Sequence, residues 1–419
     1  MHAEILSVGT ELLLGEIVDT NAQYISARLK EIGVSVYRRQ TVGDNRSRLT
    51  GAFREALGRA SLVIATGGLG PTDDDLTAAC LAEALGLPLE FHEGAWEDML
   101  EWFALRGREP SPGDRKQAMI IKGGIPFRNK VGTAPGQAVF KDGKLACILP
   151  GPPREMIPMF EEHVVPLIKS TFMDLVPLYI KNLKLTGLPE VRVGEIIKDL
   201  MESASPTVAP YVSRGEIRIR IAAGSKEPGE AKRMVDGMAR EIRSRLKEYI
   251  YGEDDDTLES VVGEIMTRRG LSIAVAESVT GGLVAHKLTN VPGSSRYFKM
   301  GMVAYSPAIK ATCLGVPDEA LRKDEAVNAE TAVSMALGVK SLAGTKIGLA
   351  TTGFAGPTGG TDKEPVGTVY VAVADESGTE VERFVYSGSR IDVKEYGAVR
   401  ALYVLWRRLS RSGKNPELK

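Results

Sequence analysis

Short apolar runs that break into glycine-rich turns most restrict what this chain can fold into. Glu4–Gly9 (EILSVG) leads into Thr10-Glu11, and Leu62–Thr66 (LVIAT) into Gly67-Gly68-Leu69-Gly70-Pro71-Thr72-Asp73-Asp74-Asp75. Leu271–Ala276 leads into Glu277-Ser278-Val279-Thr280-Gly281-Gly282. Lys346–Thr351 leads into Thr352-Gly353-Phe354-Ala355-Gly356-Pro357-Thr358-Gly359-Gly360-Thr361. Runs this short and apolar suit strands buried on both faces. Helical periods separate those of the first part: Ile25, Leu29 and Ile32 share a face in Asn21–Ile32, and Leu49–Ala60 and Asp74–Leu85 are helical again. Strands alternating with helices imply βαβ units in a parallel sheet. Turns at the carboxyl ends of such strands meet in one crevice, where ligands bind. The expectation is an α/β multidomain protein with two small-molecule sites, around Gly67–Asp75 and Glu277–Gly282.

A chain of 419 residues is too long for one core, since domains usually hold roughly 100–200 residues. Residues 1–170 form the first part. It continues through a hairpin, Gln137–Phe140 and Leu145–Leu149 across Asp142-Gly143. It closes on a helix, Pro152–Ile168, whose internal prolines should bend or break it. Residues 177–253 make a small α+β module: a strand (Tyr179–Thr186), a helix (Val193–Ser203), two strands around Arg214-Gly215 and a basic helix (Glu230–Lys247). It holds no catalytic cluster. The acidic run Glu253–Asp256 suits both an exposed linker and a favourable charge at the N-terminus of the next helix. Residues 257–410 form the third part, with a helix at Leu258–Arg269, a strand at Phe298–Tyr305, a hairpin of Thr368–Ala374 and Glu380–Tyr386, and a long amphipathic helix before a polar tail.

Composition excludes several classes of function. Lys and Arg total 53 against 54 Asp and Glu, a net charge of -1. No global basic field is available to hold a nucleic-acid backbone. Cys80, Cys147 and Cys313 show no paired spacing, which argues against a disulfide framework or a cysteine zinc site and for the reducing cytoplasm. No uncharged apolar stretch approaches the ~18 residues of a membrane span, and the N-terminus lacks the pattern of a signal peptide.

At the first site, glycines allow a tight turn and close approach of a ligand, and a helix N-terminus favours anions. Three aspartates there repel a phosphate. On their own, Asp73–Asp75 read first as helix caps. A divalent cation held by carboxylates would reconcile them with a phosphate. The neighbouring turns, Gly9-Thr10-Glu11, Gly132–Gly136 and Gly151–Met156, favour that second reading, because the sheet should gather at least some of them.

At the second site, Ser278 sits where backbone N–H groups can stabilise an oxyanion. A serine nucleophile needs a base. The chain has four histidines, His2, His92, His163 and His286, and none is well placed. Lysine can serve when desolvation lowers its pKa. Tyr305 and Lys310 straddle Pro307 and could point into one site. The run Thr352–Thr361 suits phosphate or ribose, though each glycine run taken singly could equally be a tight turn.

The segments Ser7–Gly15, Thr20-Asn21, Gly67–Asp75, Arg115–Ala118 and Leu149–Met156 resemble the CinA family (competence/damage-inducible protein A), whose N-terminal domain resembles molybdopterin-binding domains. Ala276–Gly282, Val291–Ser295, Gly301–Lys310, Leu314–Pro317, Thr352–Gly360 and Pro365–Val369 resemble its C-terminal domain, also known alone as nicotinamide mononucleotide (NMN) deamidase. The middle module fits the family's KH-like insert. The resemblance implies a bifunctional enzyme of pyridine-nucleotide salvage. Its C-terminal domain would hydrolyse NMN to nicotinic acid mononucleotide and ammonia without a cofactor. Its N-terminal domain would cleave ADP-ribose with Mg²⁺, Mn²⁺ or Co²⁺, in some members with K⁺. By the same resemblance Ser278 is the nucleophile, Lys310 the base and Tyr305 the bridge between them. Glu277, Thr280, Gly281, Gly282, Thr352, Gly353, Gly356, Gly359, Gly360 and Arg390 contact substrate, Arg390 at its phosphate. In the first domain Gly9, Thr10, Glu11, Asn21, Gly67, Gly68, Gly70, Gly136 and Gly151 contact substrate, and Asp74 and Asp75 hold the metal. A homodimer is typical of the family.

Val279, Pro307, Asn328 and Glu364 depart from the family pattern. If Glu364 faced the site, it would weaken an anionic ligand. The alternative to an enzyme is a nucleotide- or molybdopterin-binding sensor with little turnover. The middle module lacks the Gly-X-X-Gly loop that clamps RNA.

Overall fold

The computed structural model describes residues 1–213, 215–227 and 229–411; Arg214 and the polar tail after Arg411 lie outside the described residues. The chain forms two compact units. The first is Met1–Tyr179 with Ala223–Lys232; the second is Ile180–Ala222 with the chain from Arg233 onward.

The first unit is built on a sheet in the order Ser35–Val42, His2–Val8, Leu62–Thr66, Lys144–Leu149, Gly136–Lys141 and Ile125–Phe127. The first four strands are parallel; the last two add antiparallel. The Leu62–Thr66 strand is buried throughout, and its side chains alternate between two cores, as the two-residue period of a strand requires. Leu62 and Ile64 pack with Ile25, Leu29 and Phe160 on one face. Val63 and Ala65 pack with Leu49, Phe53 and Leu81 on the other. The helices Thr20–Glu31 and Arg46–Arg59 supply those stripes.

Two expectations change here. The helix after the aspartates starts at Thr77, not Asp74. The Asp75 carboxylate accepts the Thr72 N–H, and Thr77 returns its own N–H to the Gly68 carbonyl, so Asp73–Asp75 form a separate turn rather than a helical first turn. The proline-bearing helix divides into Pro153–Met159, a π-turn at Phe160–Val164, and Val165–Thr171. Pro158 and Pro166 supply no N–H to the ladder.

In the middle module the sheet order is Thr207–Ser213, Glu216–Gly224, Leu178–Thr186, Ile250–Glu253. The helix expected at Val193–Ser203 is two short ones, Glu190–Ile196 and Lys198–Met201, separated by the non-helical backbone of Ile197. The acidic run is a fixed turn rather than a loose linker. Asp254 exchanges hydrogen bonds with Asn182, and the Asp256 carboxylate accepts the Glu253 N–H.

The remaining sheet runs Phe298–Val303, Ile273–Glu277, Ile347–Gly353, Thr368–Asp375, Gly378–Val385. Its first three strands are parallel and the last two antiparallel. One face carries Ile273, Val275, Leu349 and Val371 under the helices Leu258–Arg268 and Arg390–Arg411. The other carries Ala274, Ala276, Ala350 and Ala372 under the helix Ala329–Ala343. The alanine face lets that helix come close: a Cβ on Gly348 would lie 2.0 Å from the Ala336 carbonyl oxygen. Among the described residues no helix is long and apolar enough to cross a membrane.

Candidate active sites

The first crevice forms where the strands His2–Val8, Leu62–Thr66 and Lys144–Leu149 end. Gly67 has φ +103°, and a Cβ there would stand 2.1 Å from the Val8 carbonyl oxygen, so only glycine fits between the two strand ends. The Thr77 hydroxyl donates to the Gly67 carbonyl at 2.7 Å. Asn21 stitches the loops together, donating to the Thr66 hydroxyl (2.9 Å) and the Gly151 carbonyl (2.6 Å). A cleft of about 370 Å³ opens here, with Gly68, Gly70, Asp75, Gly132, Gly151 and Glu155 among its walls.

Three expected residues are taken up by contacts within the fold. Thr10 gives its N–H and hydroxyl to the Asp44 carboxylate (3.0 and 2.8 Å). Gly9 is packed by the Glu11 carboxyl group. Gly136 is a packing glycine, its Cβ position 2.4 Å from the Met159 sulfur.

Asp74 and Asp75 both converge on the Thr72 hydroxyl. One hydroxyl has one proton, so a single hydrogen bond cannot satisfy both carboxylates. The hydrogen bond from Thr72, assisted by the charge of Lys116, holds the Asp74 carboxyl below its usual range. One exposed and one half-buried carboxylate fit a Mg²⁺-type cation, which takes one or two carboxylates and completes its shell with water and phosphate. Among the described residues no cluster of three or more acidic, histidine or cysteine side chains could hold a metal, so the other ligands would come from substrate and solvent.

Two polar side chains escaped the sequence reading. Glu155 is a buried carboxylate on the cleft wall, accepting from the Asn129 amide at 2.9 Å. Gln117 donates to the Leu69 carbonyl and leaves its buried Oε1 without a partner among the described residues. Both fall in segments that the motifs marked, but a carboxylate or amide in such a segment has no signature until the loops are folded together.

The second crevice lies at the carboxyl edge of the three parallel strands of the other sheet. The Ser278 N–H donates to the Thr351 carbonyl, and the Ala304 N–H to the Glu277 carbonyl. These bonds bring the turns bearing Ser278, Tyr305 and Thr352 side by side. Ser278 is buried. Lys310, on the helix Pro307–Leu314, is only 3% exposed, and burial lowers its ammonium pKa to about 8. Its ammonium forms no ion pair or hydrogen bond among the described residues. Arg390 donates to the Tyr305 hydroxyl (2.7 Å) and the Gly356 carbonyl (2.8 Å). Tyr305 accepts this bond and keeps its own proton available to donate. The Thr352 hydroxyl donates to the Ala326 carbonyl at 3.1 Å.

Glu277 is a correction. Its carboxylate is 1% exposed and accepts from the Thr280 hydroxyl and the backbone N–H groups of Gly282, Val284 and Ala285. It holds the turn and the start of the next helix and presents nothing to a ligand. Thr280 is likewise turned inward, between Glu277 and the Thr351 hydroxyl. Gly353 and Gly360 are explained by close backbone packing, their Cβ positions 2.3 Å from the Thr368 carbonyl oxygen and 2.8 Å from the Val366 nitrogen. Gly356 packs on Val366, and Gly359 lies near Phe354.

The departures from the family pattern are structural too. Glu364 is buried, bound by Tyr370 (2.6 Å) and Arg383 (2.7 Å), and is therefore neutralised within the fold. Asn328 caps the helix Ala329–Ala343. Pro307 occupies a first-turn position behind the Ser306 cap, and Val279 belongs to the core.

Fold and crevices together define a three-part α/β protein with a molybdopterin-binding-like domain at its start. Residues 4–170 match the family model described as a probable molybdopterin binding domain, residues 180–252 the damage-inducible protein CinA KH domain, and residues 255–409 the CinA C-terminal domain. A CinA-like protein of Dictyoglomus turgidum is 45% identical over 410 residues, covering 98% of this chain and 99% of its own. A putative competence-damage inducible protein of Moorella thermoacetica is 44% identical over 409 residues, covering 98% and 99%. A crystal structure of the protein CinA, with unknown function, from Thermoplasma acidophilum aligns at 35% identity over 40% of this chain and 99% of that one, with a TM-score of 0.38. The chain belongs to the CinA family.

Proposed function

We propose that the chain is a bifunctional hydrolase of pyridine nucleotides. One observation carries the amidase half: Lys310 is buried without a counter-charge on the helix that follows the strand paired with Ile273–Glu277, the strand leading into Ser278. With its pKa at about 8, roughly a tenth of Lys310 is neutral at pH 7, enough to act as a base. Ser278 Oγ attacks the carboxamide carbon of NMN, and its proton passes to Lys310, directly or through Tyr305. The carbon–nitrogen bond breaks as Lys310 returns that proton to the departing ammonia. Water, deprotonated by Lys310, then attacks the acyl-serine. Nicotinic acid mononucleotide leaves and the proton returns to Ser278.

In the first domain Asp74 and Asp75 are the residues that would hold a divalent cation, which supplies charge neutralisation for a pyrophosphate when bound. The Gly67–Gly70 turn admits the substrate backbone closely, and Gln117 and Glu155 orient groups deeper in the cleft. The second reading is a nucleotide-binding sensor with little turnover, since glycine-rich crevices bind as readily as they catalyse and the fold does not decide between the two.

One assay separates the two. Purified protein is given NMN, and separately ADP-ribose with Mg²⁺, Mn²⁺ or Co²⁺, while ammonia and AMP are followed. Ser278→Ala should cut ammonia release by roughly a thousandfold or more. A folded Ser278→Ala protein with normal turnover removes Ser278 from the chemistry, and a wild-type protein that binds NMN without turnover is the sensor. Asp74→Ala and Asp75→Ala should abolish AMP release, and AMP release that survives excess chelator would count against the metal role.

A further inference from the structure

Lys394 lies four residues after Arg390 in the helix Arg390–Arg411, so the two side chains share one helical face. The Lys394 ammonium stands 3.3 Å, and its Cε 3.6 Å, from where a Cβ on Gly281 would be. Arg390 reaches Tyr305 and Gly356 from the same face. One cation therefore stands beside Gly281 in the Ser278–Gly282 turn, and the other, on the same helical face, reaches the turns of Tyr305 and Gly356.

Neither has its charge answered in the interactions formed there. Both Arg390 bonds end on neutral oxygens. Lys394 is half-buried and forms no hydrogen bond or ion pair among the described residues. The carboxylate within that turn, Glu277, is filled by donors of its own loop, and Asp392 is bound to Ser389 at the helix start. Uncompensated neighbouring cations cost free energy that an anion between them would offset. Compact phosphate groups are bound by such Arg and Lys pairs, and here the start of a long helix adds its dipole.

We propose that Lys394 joins Arg390 to bind the phosphate monoester of a mononucleotide at the Ser278 site. Lys394 is then the residue that selects phosphorylated over unphosphorylated substrate. The proposal rests on the amidase reading for its substrate, but not for its anion.

The test compares wild type, Lys394→Ala and Lys394→Arg with NMN and with nicotinamide riboside, and titrates each protein with inorganic phosphate. A charge-assisted hydrogen bond is worth about 1.5–3 kcal/mol. Lys394→Ala should therefore raise KM for NMN by roughly ten- to a hundredfold, with kcat little changed and nicotinamide riboside unaffected. Lys394→Arg should restore most of the loss. An unchanged KM for NMN, or an equal loss with both substrates, overturns the proposal. If the wild type releases no ammonia from NMN, the amidase reading fails and phosphate binding decides alone. Weaker phosphate binding by Lys394→Ala upholds the anion site; no binding by wild type, or equal binding by both, overturns it.

Discussion

Lys310 joins stability and chemistry in one side chain. Burial lowers its pKa from 10.5 to about 8. Between those values the unfolded chain binds more protons than the folded one, so stability rises with pH across that window; below about pH 8 the full penalty of the buried charge applies. Lys310→Met should therefore stabilise the protein at pH 7, by up to about 3 kcal/mol at ~1.4 kcal/mol per pKa unit, while abolishing ammonia release. Thermal melts and the amidase assay check both signs. The wild-type kcat/KM for NMN should rise with pH and level off above about 8, since the neutral amine is the base. A profile flat through that range would remove Lys310 from the proton path. Ser278, Tyr305 and Lys310 could be put forward from the sequence because serine, tyrosine and lysine around glycine turns have few structural duties. Glu277 was misread because a carboxylate in such a turn carries no mark of which way it faces. Four donors from its own loop settle that it faces inward.

At the scale of elements, alternation was the reliable signal. The Ile273–Glu277, Ile347–Gly353 and Thr368–Asp375 strands place branched residues on one face and alanines on the other. The alanine face fixes how closely the Ala329–Ala343 helix approaches. Gly348→Ala would drive a Cβ into the Ala336 backbone and should cost roughly 1–3 kcal/mol, as overpacking does. Denaturant melts should show a lowered midpoint; an unchanged one would mean that the helix shifts freely. Helix boundaries were less legible. The aspartates after Gly70 look like a first helical turn in sequence, yet Thr72 and Thr77 draw them into a turn of their own. The helix Glu93–Ala104 and the strand pair Leu89–Phe91 with Met119–Ile121 had no glycine-turn signal and went unread.

For the molecule as a whole, the two crevices draw on separate cores, one around Ile64 and Val63 and one around Val275 and Leu349. Their chemistries differ accordingly, a pair of carboxylates in one and a buried amine in the other. Ser278→Ala should therefore leave metal-dependent ADP-ribose cleavage within about twofold of wild type, and Asp75→Ala should leave NMN turnover equally intact, because sites with no shared partners act independently. Reciprocal losses in the two assays would reveal coupling between them.

The sequence by itself determined the α/β class, the order of three parts, the glycine-rich turns at the strand ends and the family, because strand periods and glycine turns are local and act within a few residues of themselves. Which polar groups at those turns remain open to a ligand was decided only in the tertiary structure. Hydrogen-bond satisfaction depends on partners far away in the chain: Glu364 is neutralised by Arg383, Thr10 is held by Asp44, and Lys394 stands uncompensated beside Gly281. No local pattern encodes those pairings.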